Sequence, residues 1–290
     1  MGSKTKIDWA DATWNPVTGC LHGCEYCYAR RIAERFGAHC GECKESDMIR
    51  KPDGNYEIIA GEHISIHELD KPFFPEWHGV INGAYVDSWA DQPNPYPFDF
   101  EPTLHRHRLD IPKGWKKPKT IFVCSMADLF GNWVPDEWIK AVFDACKEAQ
   151  QHRYLFLTKN PDRYLDLDKK GLLPLDFWYG YTATRNDDLW HFTHADECPC
   201  IHLFVSIEPM QEPMNPGFCS HVPADWVIMG AETGNRKNKV VPDKSWIMEI
   251  AEECEWMDIP VFMKESLRGI MGEDFRQETP WDKEGEHATF

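Results

Sequence analysis

A strand, a helix and a second strand decide the fold: Thr120-Ile121-Phe122-Val123-Cys124, then the segment 136–150, then Tyr154-Leu155-Phe156-Leu157-Thr158. Both short segments are continuous apolar runs, which are typical of strands buried on both faces. Between them, apolar residues recur at the spacing of one helix face. Such a unit pairs its strands in parallel through a right-handed crossover. The stretch therefore predicts an α/β fold.

The same alternation continues on both sides of this unit. The pattern predicts further strands at 98–104, 177–182, 201–206, 226–229 and 260–263, and further helices at 28–36 and 245–257. The chain has 290 residues, and an α/β barrel needs about 250. We therefore expect a single domain, residues 1–290, built as a full or partial (β/α) barrel.

Two segments fall outside this alternation. Residues 37–97 are rich in Gly, Pro, His and Trp and show no sustained helical period. So long a connection is uncommon without structure of its own, and we interpret it as an irregular insertion after the first helix. Residues 271–290 form a short C-terminal tail.

The segment Gly19-Cys20-Leu21-His22-Gly23-Cys24-Glu25-Tyr26-Cys27-Tyr28 is the strongest chemical signal. Thiolates from Cys20, Cys24 and Cys27 can hold three irons of a [4Fe–4S] cluster and leave the fourth iron without a protein ligand. An open metal position indicates a reactive site. Two alternatives stay open: a zinc site completed by His22 or a distant residue, and unliganded thiols of a reduced protein.

Polar residues follow most of the predicted strands. Because the carboxyl ends of parallel strands meet on one face of a barrel, residues there are candidates for a site. These candidates are Ser125, Asp128, Lys159, Glu208, Gly230, Glu232 and Lys264. Some polar residues at strand ends are only helix caps, and capping explains Asn160, Thr184 and Thr233. The small residues after 226–229 would let the backbone approach a flat ring or a ribose closely.

A second metal site is a candidate within the insertion. Cys40 and Cys43 have the spacing of a chelating pair, and His63 and His67 follow four residues apart. The four resemble zinc-finger spacing, and the two cysteines could instead help to hold an auxiliary cluster. The alternative is that all four are ordinary loop residues.

Composition restricts the partners. The formal charge is −17, so the surface as a whole repels phosphate backbones and disfavours nucleic acid unless a local basic groove exists. No apolar stretch is long enough to span a bilayer, and the N-terminus lacks an apolar signal region. We expect a cytoplasmic protein whose eleven cysteines are reduced and available for metal.

The cysteine spacing, with Tyr26 before the third cysteine, resembles the radical S-adenosylmethionine (SAM) superfamily. Most of the chain outside the insertion resembles the phage Gp37/Gp68 family, also called DUF5131. The matching segments are 14–20, 24–29, 122–130, 157–161, 206–209, 226–234 and 262–264. This chain departs from the family at Asn160, where an Arg is usual, and at Ala231 and Thr233, where a Gly and a Ser are usual.

The resemblance implies a radical SAM barrel and an enzyme whose open iron chelates SAM and whose cluster generates a 5′-deoxyadenosyl radical. It implies that Tyr26 contacts adenine and that an external reductase or other electron donor supplies electrons. We expect cofactor contacts from Tyr26, Ser125, Asp128, Gly230 and Glu232, and catalytic roles for Lys159, Glu208 and Lys264. The substrate is not revealed. One alternative is a radical SAM enzyme that modifies nucleic acid, such as a photoproduct-lyase-like repair enzyme. The other is a non-catalytic metal-binding or redox-sensing protein.

Overall fold

The computed structural model describes residues 5, 7–37, 65–74, 76–81, 84–89, 92–188 and 200–282. The chain divides into two compact units. The first, which we call the sheet unit, comprises Met1–Trp14, Trp115–Val123 and Cys146–Phe290. The second, the cysteine unit, comprises Asn15–Gly114 and Cys124–Ala145.

Strands and helices alternate along most of the described chain. In order they are β1 (Ala12–Trp14), β2 (Val17–Thr18), α1 (Tyr28–Phe36), β3 (His67–Leu69), β4 (Glu76–Ile81), β5 (Ala84–Trp89), β6 (Thr103–His105), β7 (Thr120–Val123), α2 (Asp136–Lys147), β8 (Arg153–Thr158), α3 (Asp162–Lys169), β9 (Trp178–Thr182), β10 (His202–Ile207), α4 (Phe218–His221), β11 (Trp226–Met229), α5 (Lys244–Trp256), β12 (Val261–Met263) and α6 (Arg268–Met271).

The sheet unit is built on one parallel sheet of seven strands in the order β1-β7-β8-β9-β10-β11-β12. Each neighbouring pair is parallel. The α/β class and the partial barrel are confirmed: the sheet curls into a half-barrel with helices. Its register aligns the carboxyl ends of adjacent strands, so that Ile207 pairs with Met229 and Met229 with Met263.

The sheet is buried on both faces, as continuous apolar strands require. On one face, Phe204, Trp226 and Phe262 pack around Trp9, whose ring centroid lies 4.6 Å from that of Phe122. The other face packs against α4 and α5 through a second cluster of apolar residues. Packing on both faces holds the sheet in place, and with it the polar residues at the carboxyl ends of the strands.

The edge strand β12 is covered by the chain that follows it. Met263 N–H donates to the carbonyl of Arg276 at 2.9 Å, and Glu278 N–H donates to that of Val261 at 2.9 Å. Phe262 and Gln277 form an antiparallel bridge between these two bonds. The beginning of the predicted C-terminal tail is therefore paired with the sheet.

The cysteine unit contains a small sheet in the order β2-β6-β3 and the hairpin β4-β5. Helix α1 buries Ala29 and Ala33 against Phe100 and Met126. The predicted insertion thus has structure of its own, because β3, β4 and β5 all lie within residues 37–97.

One predicted strand is largely wrong. The run 98–104 forms a strand only at its end, where β6 begins at Thr103. Its first residues are turns, in which Asp99 N–H donates to Tyr96 O at 3.2 Å and Glu101 N–H donates to Phe98 O at 3.0 Å. Asp99 has a φ of 52°, and Pro102 has no N–H to offer a ladder. The elements that were not anticipated from the sequence are β1, β2, β3, β4, β5, α3, α4 and α6.

None of the described helices combines the length and the apolar character that crossing a membrane requires.

Candidate functional site

Two glycines in the left-handed region shape the cysteine loop, residues 19–28. Gly19 has a φ of +88° and Gly23 a φ of +69°. A Cβ on Gly19 would lie 2.1 Å from the carbonyl oxygen of Glu101, whereas one on Gly23 would meet nothing within 4 Å. Both conformation and space therefore require glycine at position 19, immediately before the first cysteine.

The cysteines are anchored through the backbone. Cys20 N–H donates to Phe100 O at 3.1 Å, and Cys27 N–H donates to Cys24 O at 3.1 Å. Arg30 returns from α1 and donates from Nη2 to Cys20 O at 3.2 Å. These bonds place three half-buried thiols on one short loop whose path is set at both ends.

Cys27 is the N-cap residue of α1. Its Sγ accepts the Arg30 N–H at 3.3 Å. The Cys27 sulfur thus lies at the end of α1 that carries the partial positive charge of the helix. The helix that follows the motif therefore fixes the position of the third cysteine.

Cys20 lies in a less polar environment. Burial, followed by the nearby Asp128 carboxylate, raises the pKa of the Cys20 thiol to about 12. Cys20 and Cys27 both pack beside the apolar cluster of Ala29, Ala33 and Phe100. A metal at Cys20 would thus displace a thiol proton and would be shielded from water on one side.

The donor set of this loop consists of three cysteine thiols. Within the described part of the chain, no three His, Cys, Asp or Glu side chains are gathered as a single metal ion requires. A tetrahedral zinc needs four ligands that converge on one point. The thiolates of a [4Fe–4S] cluster each bind a different iron and stand further apart. Three thiols on one anchored loop supply the ligand type that such a cluster uses.

His22 is engaged elsewhere. Its Nε2 lies 2.7 Å from Asp128 Oδ2, and its ring meets that of Trp133 edge-on at 4.9 Å between centroids. The other Asp128 oxygen, Oδ1, accepts the Phe130 N–H at 3.0 Å. The zinc alternative that used His22 would therefore have to use the other ring nitrogen, Nδ1, an arrangement in which a carboxylate commonly orients the ligating ring.

Ser125 and Tyr26, two predicted cofactor contacts, also bond within the cysteine unit. The Ser125 hydroxyl donates to Asn15 Oδ1 at 3.1 Å, and the Ser125 carbonyl accepts from Tyr28 Oη at 2.7 Å. The Tyr26 carbonyl accepts from Arg31 Nη2 at 3.4 Å, and the Tyr26 side chain is half-buried. Asn15 was quoted only as part of a motif, and its role as the acceptor for Ser125 was missed.

The second metal candidate is described at one residue only. Cys40, Cys43 and His63 lie outside the described residues. His67 is buried on β3, where Nε2 lies 2.5 Å from Glu101 Oε2 and the ring stacks on Phe98 at 3.7 Å. The spacing of His63 and His67 could not reveal this carboxylate, because it approaches through the pairing of β3 with β6.

In the sheet unit, Glu208, Gly230 and Lys264 stand side by side at the carboxyl ends of β10, β11 and β12. Lys264 Nζ donates to Glu208 Oε1 across Gly230. A Cβ on Gly230 would lie 3.1 Å from Glu208 Cγ and 3.1 Å from Lys264 Cδ. Glycine therefore leaves room for two long side chains of opposite charge to meet over the central strand.

Glu232 forms a second ion pair after β11. Arg236 donates from Nε to Oε1 and from Nη2 to Oε2, both at 2.7 Å. The Glu232 side chain is only 2% exposed, so its carboxylate is held almost entirely by protein. Arg236 was missed, and its position four residues after Glu232 was the available signal.

Lys159 stands apart from the Glu208–Lys264 pair. It follows β8, and β9 separates β8 from β10 in the sheet. Neighbouring strands lie about 4.8 Å apart, so Lys159 starts about 10 Å from Glu208. The capping alternative for Asn160 is not confirmed, since the N-cap of α3 is Pro161 and the Asn160 N–H itself donates to Thr158 Oγ1 at 2.9 Å. The structure thus brings together two of the three predicted catalytic residues.

Comparisons with known proteins give one result. The chain matches no curated protein and no solved structure. The family model described as "Protein of unknown function (DUF5131)" matches residues 4–78 and 82–279. These ranges contain the cysteine loop and every polar residue at the strand ends described above. The chain therefore belongs to the DUF5131 family.

Proposed function

We propose that this protein is a radical SAM enzyme whose cluster is held by Cys20, Cys24 and Cys27. The observation that carries the proposal is one loop with three separate half-buried thiols, begun by Gly19 and ended at the N-cap of α1. Three ligands for four irons leave one iron open to a small molecule. The wider link to the phage Gp37/Gp68 group and to the radical SAM superfamily rests on the sequence motifs.

When bound, such a cluster would supply the electron that cleaves SAM to methionine and a 5′-deoxyadenosyl radical. The protein's own residues bind and shield it. Cys27 would hold one iron from the N-cap position of α1, and Cys20 packs beside the apolar cluster of Phe100 and Met126, which excludes water. An external electron donor completes the proposal, since the cluster must be reduced before each cleavage.

The sheet unit contributes the proposed substrate contacts. Ligands of parallel α/β sheets bind at the carboxyl ends of strands, where Glu208 and Lys264 meet. The side chains of Lys264 and Glu208 are 18% and 27% exposed, so both charges remain partly accessible. We propose that this pair, together with Lys159, contacts the substrate. Gly230 and the backbone beside Glu232 remain candidates for close approach by the cofactor.

The formal charge of −17 makes a small molecule or a protein a better substrate class than nucleic acid. A cytoplasmic location also belongs to this proposal, because cluster thiols must stay reduced.

Anaerobic reconstitution with iron and sulfide tests the proposal. We expect a brown protein with about four irons and four sulfides per chain. The variant Cys20→Ala/Cys24→Ala/Cys27→Ala should lose both. The matched control Cys146→Ala/Cys219→Ala/Cys254→Ala, which alters three buried cysteines of the sheet unit, should keep both.

Activity is measured separately with dithionite and SAM. The reconstituted protein should form 5′-deoxyadenosine and methionine slowly without substrate, and SAM should change the EPR spectrum of the reduced cluster. A protein that holds the cluster but neither binds nor cleaves SAM would favour the redox-sensing alternative. Equal iron in the triple variant and in wild type would exclude the assigned ligands.

A further inference from the structure

The segment Cys124–Phe130, which we call the clamp segment, contacts the cysteine loop at several points. Gly19 N–H donates to Met126 O at 2.9 Å, and Gly19 forms a bridge with Ala127. Tyr28 Oη donates to Ser125 O at 2.7 Å. His22 Nε2 meets Asp128 Oδ2 at 2.7 Å. The clamp segment is more than 90 residues further along the chain, so these contacts are tertiary.

The clamp segment is itself held in place by Asn15. The Asn15 Oδ1 accepts from Ser125 Oγ at 3.1 Å and from Met126 N–H at 3.0 Å. Arg108 Nη1 in turn donates to the Asn15 carbonyl at 3.1 Å. Because the clamp segment is fixed, each of its contacts with the cysteine loop also restrains the loop residue on the other side.

Asp128 is the clamp residue that reaches the span between Cys20 and Cys24. Its side chain is 7% exposed. One oxygen meets His22, and the other accepts the Phe130 N–H at 3.0 Å. His22 is 23% exposed and is joined through this bond to a buried carboxylate. Hydrogen bonds to a charged group are stronger than neutral ones, so the pair restrains the loop at its middle.

We infer that Asp128, acting through His22, is a positioning residue of the cysteine loop and not a ligand of SAM. The expected effect on retention of the cluster rests on the proposed function. The restraint of the cysteine loop by Asp128 and His22 applies to the metal-free protein as well. Because the pair restrains the three residues between Cys20 and Cys24, its loss lets two of the three thiols move independently. Iron should then be lost faster from a loop that has lost this restraint.

Four variants and one control separate the roles. Asp128→Asn keeps one acceptor oxygen, for the Phe130 N–H, and places an amide NH2 opposite His22 Nε2, which can accept from it in the other tautomer, whereas Asp128→Ala removes both contacts. His22→Ala removes the more exposed partner of the pair. Together with the double variant Asp128→Ala/His22→Ala, the single variants form a double-mutant cycle. Lys140→Met is the control, because it breaks another charged pair of the cysteine unit, Lys140–Asp144, on the exposed side of α2.

The first measurement is hydrogen exchange of the Gly19 and Cys20 amides in the metal-free protein. We expect exchange on the order of tenfold faster in Asp128→Ala and His22→Ala, from the loss of one hydrogen bond to a charged group. The double variant should exchange little faster than either single one. Asp128→Asn, whose remaining bond to His22 is neutral, should exchange at a rate between those of Asp128→Ala and wild type, and the Lys140→Met control should resemble wild type. Wild-type exchange in Asp128→Ala and His22→Ala would overturn the inference.

The second measurement is the EPR spectrum of the reduced, reconstituted protein with and without SAM. A positioning role predicts an altered spectrum already without SAM in Asp128→Ala and His22→Ala, and a wild-type response to SAM in Asp128→Asn. If Asp128→Asn has a wild-type spectrum without SAM but no longer responds to SAM, Asp128 is a SAM ligand and the inference is wrong. If wild type takes up no iron, the proposed function fails, and the exchange rates still decide the positioning role.

Discussion

The cysteine loop and the carboxyl ends of β10, β11 and β12 are ordered in different ways. The loop is irregular, and single hydrogen bonds from distant segments hold it around one left-handed residue, Gly19, which has no room for a side chain. The positions of the strand ends are fixed by the backbone hydrogen bonds of the parallel sheet, which place Glu208 and Lys264 on either side of Gly230. A single backbone change should therefore damage the loop far more than the strand ends.

The largest expected effect is that of Gly19→Ala. Its Cβ would enter the carbonyl of Glu101, which is backbone and cannot rotate away, and the positive φ adds strain. We expect a loss of more than about 3 kcal/mol in the free energy of unfolding, measured in urea. Gly23→Ala is the matched control, with a similar φ but open space, and should cost about 1–2 kcal/mol. Equal losses would show that space at Gly19 does not matter.

The next comparison is between two glycines of the sheet unit. Gly180 on β9 pairs with Phe204, and a Cβ there would lie 2.3 Å from a ring atom of that buried side chain. We expect Gly180→Ala to cost about 2–3 kcal/mol through overpacking. Gly230→Ala meets only the flexible chains of Glu208 and Lys264 at 3.1 Å and should cost less than about 1 kcal/mol. Urea unfolding of both variants measures these costs. A larger loss of stability in Gly230→Ala than in Gly180→Ala would contradict the expectation that the strand ends tolerate a single backbone change.

Acid should weaken the cysteine unit through His105. Burial lowers the pKa of His105 to about 3, and its Nε2 lies 2.9 Å from Thr18 Oγ1. Between pH 6.5 and about 3, His105 binds a proton in the unfolded chain but not in the folded chain. The free energy of unfolding therefore falls as the pH falls. The slope from this group is at most about 1.4 kcal/mol per pH unit. His105→Gln should remove that part of the slope and leave the slope above pH 7 unchanged. Identical slopes in both proteins would mean that His105 ionises in the fold.

The smallest expected effect concerns the Glu208–Lys264 pair. The two side chains are partly exposed, so removing one charge should cost about 1 kcal/mol, less than for a fully buried pair. Glu208→Gln and Lys264→Met, with the double variant, form a cycle whose coupling energy we expect near 0.5–1 kcal/mol. Purely additive losses would mean that the two side chains do not stabilise each other.

The fold was largely readable from local pattern. The predicted bounds of α1 and β11 are those of the structure, because helical spacing and a short apolar run are both properties of neighbouring residues. The strand predicted at 98–104 was wrong because Phe98 and Phe100 alternate like strand residues but belong to turns. The three residues of β1 carry too little pattern to be recognised alone.

The candidate site was readable only in part. Cysteine spacing is local, and the cysteines do lie on one loop. The role of Asp128 was not readable, because its partner His22 is 106 residues away and the contact depends on how the chain folds back. Glu208 and Lys264 were each identified, but their pairing follows from strand order.

The pairing of residues 276–278 with β12 has a consequence for self-association. An uncovered edge strand offers its unsatisfied N–H and C=O groups to a second molecule and can seed aggregation. Here the chain satisfies that edge itself, through an antiparallel bridge and two hydrogen bonds. A chain truncated before Arg276 would leave backbone N–H and C=O groups of the apolar strand Val261–Met263 unpaired. Such a shortened form should precipitate or form oligomers at concentrations where the 290-residue chain stays in solution. A shortened chain prepared for expression should therefore end beyond Glu278.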